Sequence, residues 1–256
     1  IIKHEEQDIE EKFNEIKTKL TTEQLLVSKK IISKINKNSF SVTLLDGVTG
    51  SGKTEVYFEA IFEVIKKGKQ VLIMLPEISL TEQWLEKFYK RFGFKPVIWH
   101  SNVSKKDRVS AWDKISKGKA KVVIGARSSL FLPFKYLKLI IIDEEHDSSY
   151  KQQESVIYNA RDMAIVRSKI LEIAIILVSA TPSLETLYNV KKEKYGLLSL
   201  KERYGQASLP SISIIDLNKE KLAPKRWISN SLAKEIEKCL DNREQVLLFL
   251  NRRGYA

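Results

Sequence analysis

The chain has 256 residues, 43% of them hydrophobic, which allows one large domain or one and a half of ordinary size and excludes a disordered tail. A net charge of +12 points to a polyanion, either nucleic acid or an anionic membrane surface, though a solvated Lys-rich surface gives the same balance. No apolar run nears the roughly 18 residues of a membrane span, residues 1–16 are too acidic for a secretory signal, and Cys239 is the only cysteine, so a cytoplasmic protein without membrane contact is expected.

In chain order, residues 1–19 read as a linker. Strand-like runs follow at 42–45, 71–75, 96–99, 122–124, 139–142 and 173–178. Most are continuously apolar, as in strands covered on both faces of a parallel sheet. Two further runs, 212–216 and 245–250, lie beyond a polar stretch near 205–210. Helical patterns fall between them at 55–66, 80–92, 105–116, 161–169, 182–191 and 229–240. Ser79 or Thr81 is placed to cap the second helix, Pro182 sits in the first turn of the fifth, and Ser229 precedes the last. Trp84 and Trp112 occupy helix positions expected to face the core. This alternation predicts an α/β fold, a mostly parallel sheet with helices on both faces. Residues 20–209 are expected to form one lobe and 210–256 the truncated start of a second. The chain reads as a piece of something longer, since it starts at Ile1 rather than Met and 251–256 close no element.

Residues 47–54, Gly47-Val48-Thr49-Gly50-Ser51-Gly52-Lys53-Thr54, fit the pattern G-x-x-x-x-G-K-[ST]. They follow a predicted strand and open a predicted helix, the context in which such a loop binds phosphate. Its glycines let backbone N–H groups turn inward around a β-phosphate at the positive end of a helix. Lys53 adds a point charge on the β- and γ-phosphates, and the Thr54 hydroxyl is suited to ligate Mg²⁺. A nucleoside triphosphate, ATP above all, is the expected ligand.

Ile140-Ile141-Ile142 runs into Asp143, Glu144, Glu145 and His146, placing carboxylates at the C-terminal end of a buried strand. That edge of an open parallel sheet is where ligands bind. Asp143 is suited to Mg²⁺ and Glu144 to orienting the attacking water. His146 could equally satisfy loop carbonyls. Ser179-Ala180-Thr181-Pro182 ends another strand, where the Ser179 and Thr181 hydroxyls can link the γ-phosphate side to the rest of the protein; alone, it is also a good helix start.

Six strings carry a resemblance: GVTGSGKTEVY at 47–57, LPEISLTEQ at 75–83, GARSSLFLP at 125–133, DEEHDSSYKQ at 143–152, SATPSLET at 179–186 and FLNRRGY at 249–255. In this order they resemble the PriA family of replication-restart DNA helicases, superfamily 2 motors with RecA-like lobes. The resemblance runs from about Leu20 to Ala256. It implies a phosphate-loop NTPase lobe and ATP-driven 3′→5′ movement on single-stranded and forked DNA. It also implies primosome and single-strand-binding proteins as partners.

Carried over to matching positions, Lys53, Asp143 and Glu144 are catalytic, Thr54 and Asp143 lie on the Mg²⁺ side, and Gln24 reads the adenine edge. The Gln24 segment is also an ordinary capping box. His146, Tyr150, Ser179 and Thr181 would couple DNA binding to hydrolysis. Pro76, Glu77, Arg127, Ser128, Tyr150 and Lys151 would face single-stranded DNA, with Tyr150 stacking a base unless it packs on its own loop. Tyr158-Asn159 stands where the family has an aromatic residue and histidine. The family's zinc modules would follow residue 256, so zinc is expected in the full-length protein and not on this chain. The arginines that complete the ATP site would also lie beyond it.

Overall fold

Helix α1 (Thr22–Asn36) begins where Thr21 and Gln24 form a reciprocal capping box, each side chain bonding the other's backbone N–H. The capping pattern at Thr21 was legible, but the helix it opens was not among the predicted elements. The computed structural model describes residues 19–76, 82–153, 156–203, 211–220, 222 and 228–249. Glu77, the caps Ser79 and Thr81, the 205–210 boundary stretch and residues 1–18 and 251–256 therefore lie outside the described residues. The chain divides into two units, Ile1–Ala207 and Ser208–Ala256.

In the first unit the strands are β1 (Ser41–Gly47), β2 (Gln70–Met74), β3 (Val97–Trp99), β4 (Val122–Gly125) and β5 (Leu137–Ile142). A short antiparallel pair, β6 (Lys151–Gln152) and β7 (Tyr158–Asn159), precedes β8 (Ala174–Ser179) and β9 (Gly196–Leu200). Seven of these form one sheet in the order β3-β4-β2-β5-β8-β1-β9, with every pairing parallel. The chain matches the predicted α/β class: β2, β5 and β8 are buried at nearly every position.

The helices are α2 (Lys53–Lys66), α3 (Glu82–Phe92), α4 (Lys105–Ser116), α5 (Ala160–Ile170) and α6 (Leu184–Lys191). Side chains alternate across the sheet into two cores. Leu45, Ile73, Ile141 and Ile176 meet α1, α2 and α3, while Leu44, Leu72, Ile140 and Ile175 share a core with residues of α4 and α5. Burial of these apolar faces, at roughly 25 cal/mol per Å², contributes most to holding the lobe together.

Several details differ from the sequence expectations. Ser183, not Pro182, caps α6, so Pro182 lies just outside the helix. Strand β9 was unrecognised because Gly196–Leu200 is only partly buried at the sheet edge. Trp84 is partly buried against the first core as expected, but Trp112 is about half exposed and leans on Trp99 at 6.3 Å. Only Ala111 and Ile115 of α4 are buried, which leaves Trp112 on its flank.

In the second unit the described residues hold one helix, α7 (Asn230–Asp241), capped by Ser229, and Glu220 accepts from Ser231 N at 2.7 Å. The runs predicted as strands at 212–216 and 245–249 are not strands here. A strand exists only through pairing, and Ile212, Ile214, Leu247 and Phe249 are all more than four-fifths exposed.

Candidate nucleotide-binding site

The loop at 47–54 leaves β1 and enters α2, as its pattern predicts. Gly50 and Gly52 both have φ +81, a left-handed backbone that glycine adopts without strain. A Cβ on Gly52 would collide with Gln24 Nε2, and one on Gly47 would come within 2.7 Å of Ser51 Oγ. The loop is tied to the lobe at two points: Gln24 Nε2 donates to the Ser51 carbonyl at 2.8 Å, and Val48 N to the Leu200 carbonyl at 3.4 Å. Gln24 is thus buried with its amide spanning the capping box and the phosphate loop.

Lys53 Nζ donates to the Gly47 carbonyl at 2.6 Å, folded over the loop. Burial lowers its pKa, opposed by the nearby charges of Glu144, Asp143 and Asp46, so these carboxylates and the lysine share one locality. Val48, Thr49 and Gly50 are exposed at the loop's crest.

The acidic turn is stitched between strands. Asp143 N donates to the Met74 carbonyl of β2 and Glu145 N to the Val178 carbonyl of β8, each at 3.0 Å. Glu144 between them has φ +47, a conformation an L-residue adopts at a cost on the order of 1 kcal/mol. Asp143 accepts from the Tyr57 hydroxyl at 2.9 Å and from Glu144 N at 3.0 Å. Burial pushes the Asp143 pKa up to about 6; the Tyr57 hydrogen bond works against that rise and the Glu144 charge adds to it.

Glu145 is fully buried and satisfied. Its carboxylate accepts from Arg161 Nη1 at 3.0 Å, Ser183 N at 2.7 Å, Ser183 Oγ at 3.1 Å and Thr186 Oγ1 at 2.9 Å. Burial by itself lowers the Arg161 pKa, but hydrogen bonds and charge interactions with Asp162 and Glu145 outweigh it and raise the value. Asn159 caps α5 by accepting from Arg161 N at 3.0 Å, so the residue standing in for the family's histidine has a helix-capping role. His146 Nδ1 lies 2.8 Å from Ser179 Oγ and 3.7 Å from a Glu144 oxygen, and its Nε2 is 3.3 Å from Thr181 Oγ1. The acidic turn and the end of β8 are therefore in direct contact.

The residues expected to face DNA divide. Ser128 and Lys151 are exposed, and Arg127 Nη1 donates to the Lys151 carbonyl at 2.8 Å, which brings those two segments together. Pro76 is buried. Tyr150 does not offer a ring: it is 2% exposed, and its hydroxyl lies between the carbonyls of Asp143, at 2.6 Å, and Met74, at 3.0 Å. A tyrosine with two backbone acceptors in reach gains more as a buried strut than as a surface platform. The exposed aromatic beside this loop is Phe131, edge-on to Tyr158 at 5.6 Å.

Sequence reasoning missed Tyr57, Arg161, Glu145, Ser183 and Thr186. The readable signal for Tyr57 was its spacing of three from Thr54, which puts both on one face of α2.

A magnesium nucleotide fits this cradle. Among the described residues Ser51 Oγ is buried without a hydrogen-bond partner, and a Cβ at Gly50, on the exposed crest, would meet nothing within 4 Å. Among the described residues no group of three or more His, Cys, Asp or Glu could hold a metal by itself. Thr54 and Asp143 are the residues that would present oxygen ligands to a cation, and Mg²⁺ habitually takes few ligands from protein.

Residues 21–190 match the family model described as DEAD/DEAH box helicase. Along its length the chain is similar to curated replication restart proteins PriA. Identity is 57% over 214 residues with that of Rickettsia felis, 84% of this chain and 33% of the relative. It is 52% over 255 residues with that of Rickettsia prowazekii, 100% and 38%. For Bacillus subtilis it is 41% over 238 residues, 93% and 30%. The chain spans about a third of the length of these relatives. Two solved structures share the fold: the helicase MrfA, with TM-score 0.58 and 20% identity over 92% of this chain and 36% of that one, and RecG bound to a three-way DNA junction, with 0.56 and 22% over 75% and 25%. An ATP-binding lobe follows from the family match, in keeping with the loop's geometry. The chain is similar in sequence to PriA replication restart proteins, and it belongs to the DEAD/DEAH box helicase family.

Proposed function

We propose that this chain is the ATP-binding motor lobe of a 3′→5′ DNA helicase that acts in replication restart, coupling ATP hydrolysis to movement along single-stranded DNA at forks. The observation that carries this reading is the convergence of Lys53 with Asp143 and Glu144 at the C-terminal edge of the sheet, with His146 joining that turn to Ser179 and Thr181.

Bound ATP would supply the γ-phosphoryl group and Mg²⁺ the charge neutralisation on its oxygens. The loop backbone and Lys53 hold the phosphates, Thr54 and Asp143 present oxygen ligands to the cation, and Glu144 orients or deprotonates water. Gln24, whose side-chain amide touches the phosphate loop, can read the adenine edge. Exposed Ser128 and Lys151, with half-buried Arg127 between their segments, form a polar surface suited to a DNA backbone, in keeping with the net charge of +12. Primosome and single-strand-binding proteins are the partners that similarity to PriA brings to this reading, and the cytoplasm is its setting.

The test is a DNA-stimulated ATPase assay of this chain against a longer one carrying a second lobe. Related phosphate-loop enzymes gain roughly 10³–10⁵ in rate from an arginine supplied by another segment. The longer chain is expected to hydrolyse ATP faster by that order when DNA is added. Equal rates with and without DNA in the longer chain would overturn the helicase reading.

A further inference from the structure

Tyr57 lies on α2, fully buried, and its hydroxyl joins two groups. It donates to Asp143 Oδ2 at 2.9 Å and accepts from Trp84 Nε1 at 3.2 Å. A hydroxyl has one proton and two lone pairs, and these contacts use the proton and one lone pair. The direction is fixed by chemistry. An indole N–H can only donate, so the tyrosine proton goes to the carboxylate. Trp84 is itself held on α3, edge-on to Phe58 at 5.6 Å and stacked on Phe88 at 5.6 Å.

Thr54 and Tyr57 lie one turn apart on α2, and the Tyr57 hydroxyl reaches Asp143, 86 residues away. Thr54 and Asp143 are the two side chains that the proposed function assigns to the cation. We infer that Tyr57 is a positioning residue for magnesium: it ties the Asp143 carboxylate to the helix that carries Thr54, and Trp84 sets Tyr57. The inference rests on the reading of the site as a magnesium-nucleotide site. Asp143 Oδ1 receives Glu144 N and Oδ2 receives Tyr57, so the rotamer is fixed from both oxygens while each keeps a lone pair. A freely turning carboxylate would lose part of its binding advantage to ordering.

The test is equilibrium binding of a fluorescent ATP analogue to the full chain, with excess Mg²⁺ and with EDTA. In the unaltered protein Mg²⁺ is expected to strengthen binding. Tyr57→Phe keeps the buried ring and is expected to leave the affinity in EDTA within about twofold while cutting the magnesium enhancement roughly tenfold, as loss of one hydrogen bond to a charged group implies. A residue with only a packing role would change the melting temperature and both affinities together. An unchanged enhancement in Tyr57→Phe overturns the inference. If that variant does not fold, Trp84→Phe carries the test through the second hydrogen bond: a reduced enhancement supports the role and an unchanged one overturns it. Lys53→Ala separates the two levels, because retained binding there removes the nucleotide site itself, whatever Tyr57 does.

Discussion

Glu145 and Arg161 form an ion pair of 3.0 Å in which the carboxylate is wholly buried and the guanidinium nearly so. The pair joins the acidic turn after β5 to the start of α5, and Ser183 and Thr186 extend it to α6. Glu144, at the turn's strained position, is thus anchored by its neighbour. Removing one member of such a buried pair leaves an uncompensated charge, at about 3–5 kcal/mol. Glu145→Ala is expected to lower unfolding stability by that amount in urea titrations, and a loss below about 1 kcal/mol would show the pair does not hold the turn.

Lys53→Ala should abolish measurable ATP binding, because it removes the one phosphate-loop side chain whose charge opposes the phosphates. Isothermal titration decides this. Retained tight binding would place the nucleotide elsewhere.

Asp143 gives a pH signature. Its folded-state pKa of about 6 stands above the ordinary 3.8, so the folded protein holds a proton there that the unfolded chain has lost between those values. Stability of the nucleotide-free protein therefore falls at this group as pH rises through that window, and the cost is complete above pH 6. Asp143→Asn should stabilise the free protein at pH 8 by on the order of 1–3 kcal/mol and have little effect at pH 3.5, as read by thermal melts. An equal gain at both pH values would contradict the shift.

Tyr150→Phe should cost about 1 kcal/mol in stability, the worth of a buried hydroxyl's hydrogen bond, without weakening single-stranded DNA binding. A large loss of DNA affinity with unchanged stability would return Tyr150 to the role of a stacking platform.

Binding of single-stranded DNA should weaken steeply as salt rises, through release of counterions from the strand. Fluorescence anisotropy at stepped salt concentrations measures the slope. A flat response would mean the +12 charge is only a solvated surface.

Local features were legible in the sequence because local chemistry makes them. Apolar runs marked six strands, and the G-x-x-x-x-G-K-[ST] spacing placed a loop whose Gly50 and Gly52 adopt the φ that glycine permits. The acidic residues after Ile142 and the hydroxyls after Val178 were likewise assigned to the sheet's ligand-binding edge, because parallel strands bring their C-terminal ends to one side. The runs at 212–216 and 245–249 read equally well as strands and are not, since the local pattern says nothing about a pairing partner.

Tertiary contact decided the rest. Tyr57 and Asp143 are 86 residues apart, and Gln24 and Ser51 are 27 apart, so no spacing rule could pair them. Tyr150 looked like a surface aromatic in a polar string, but the carbonyls of Asp143 and Met74 converge where its hydroxyl falls, and burial follows. The sequence by itself determined the phosphate loop, the carboxylates and the parallel α/β plan, each a consequence of neighbouring residues. Packing alone determined which side chains hold those groups in place, because a hydrogen bond between distant segments exists only once the sheet has brought them together.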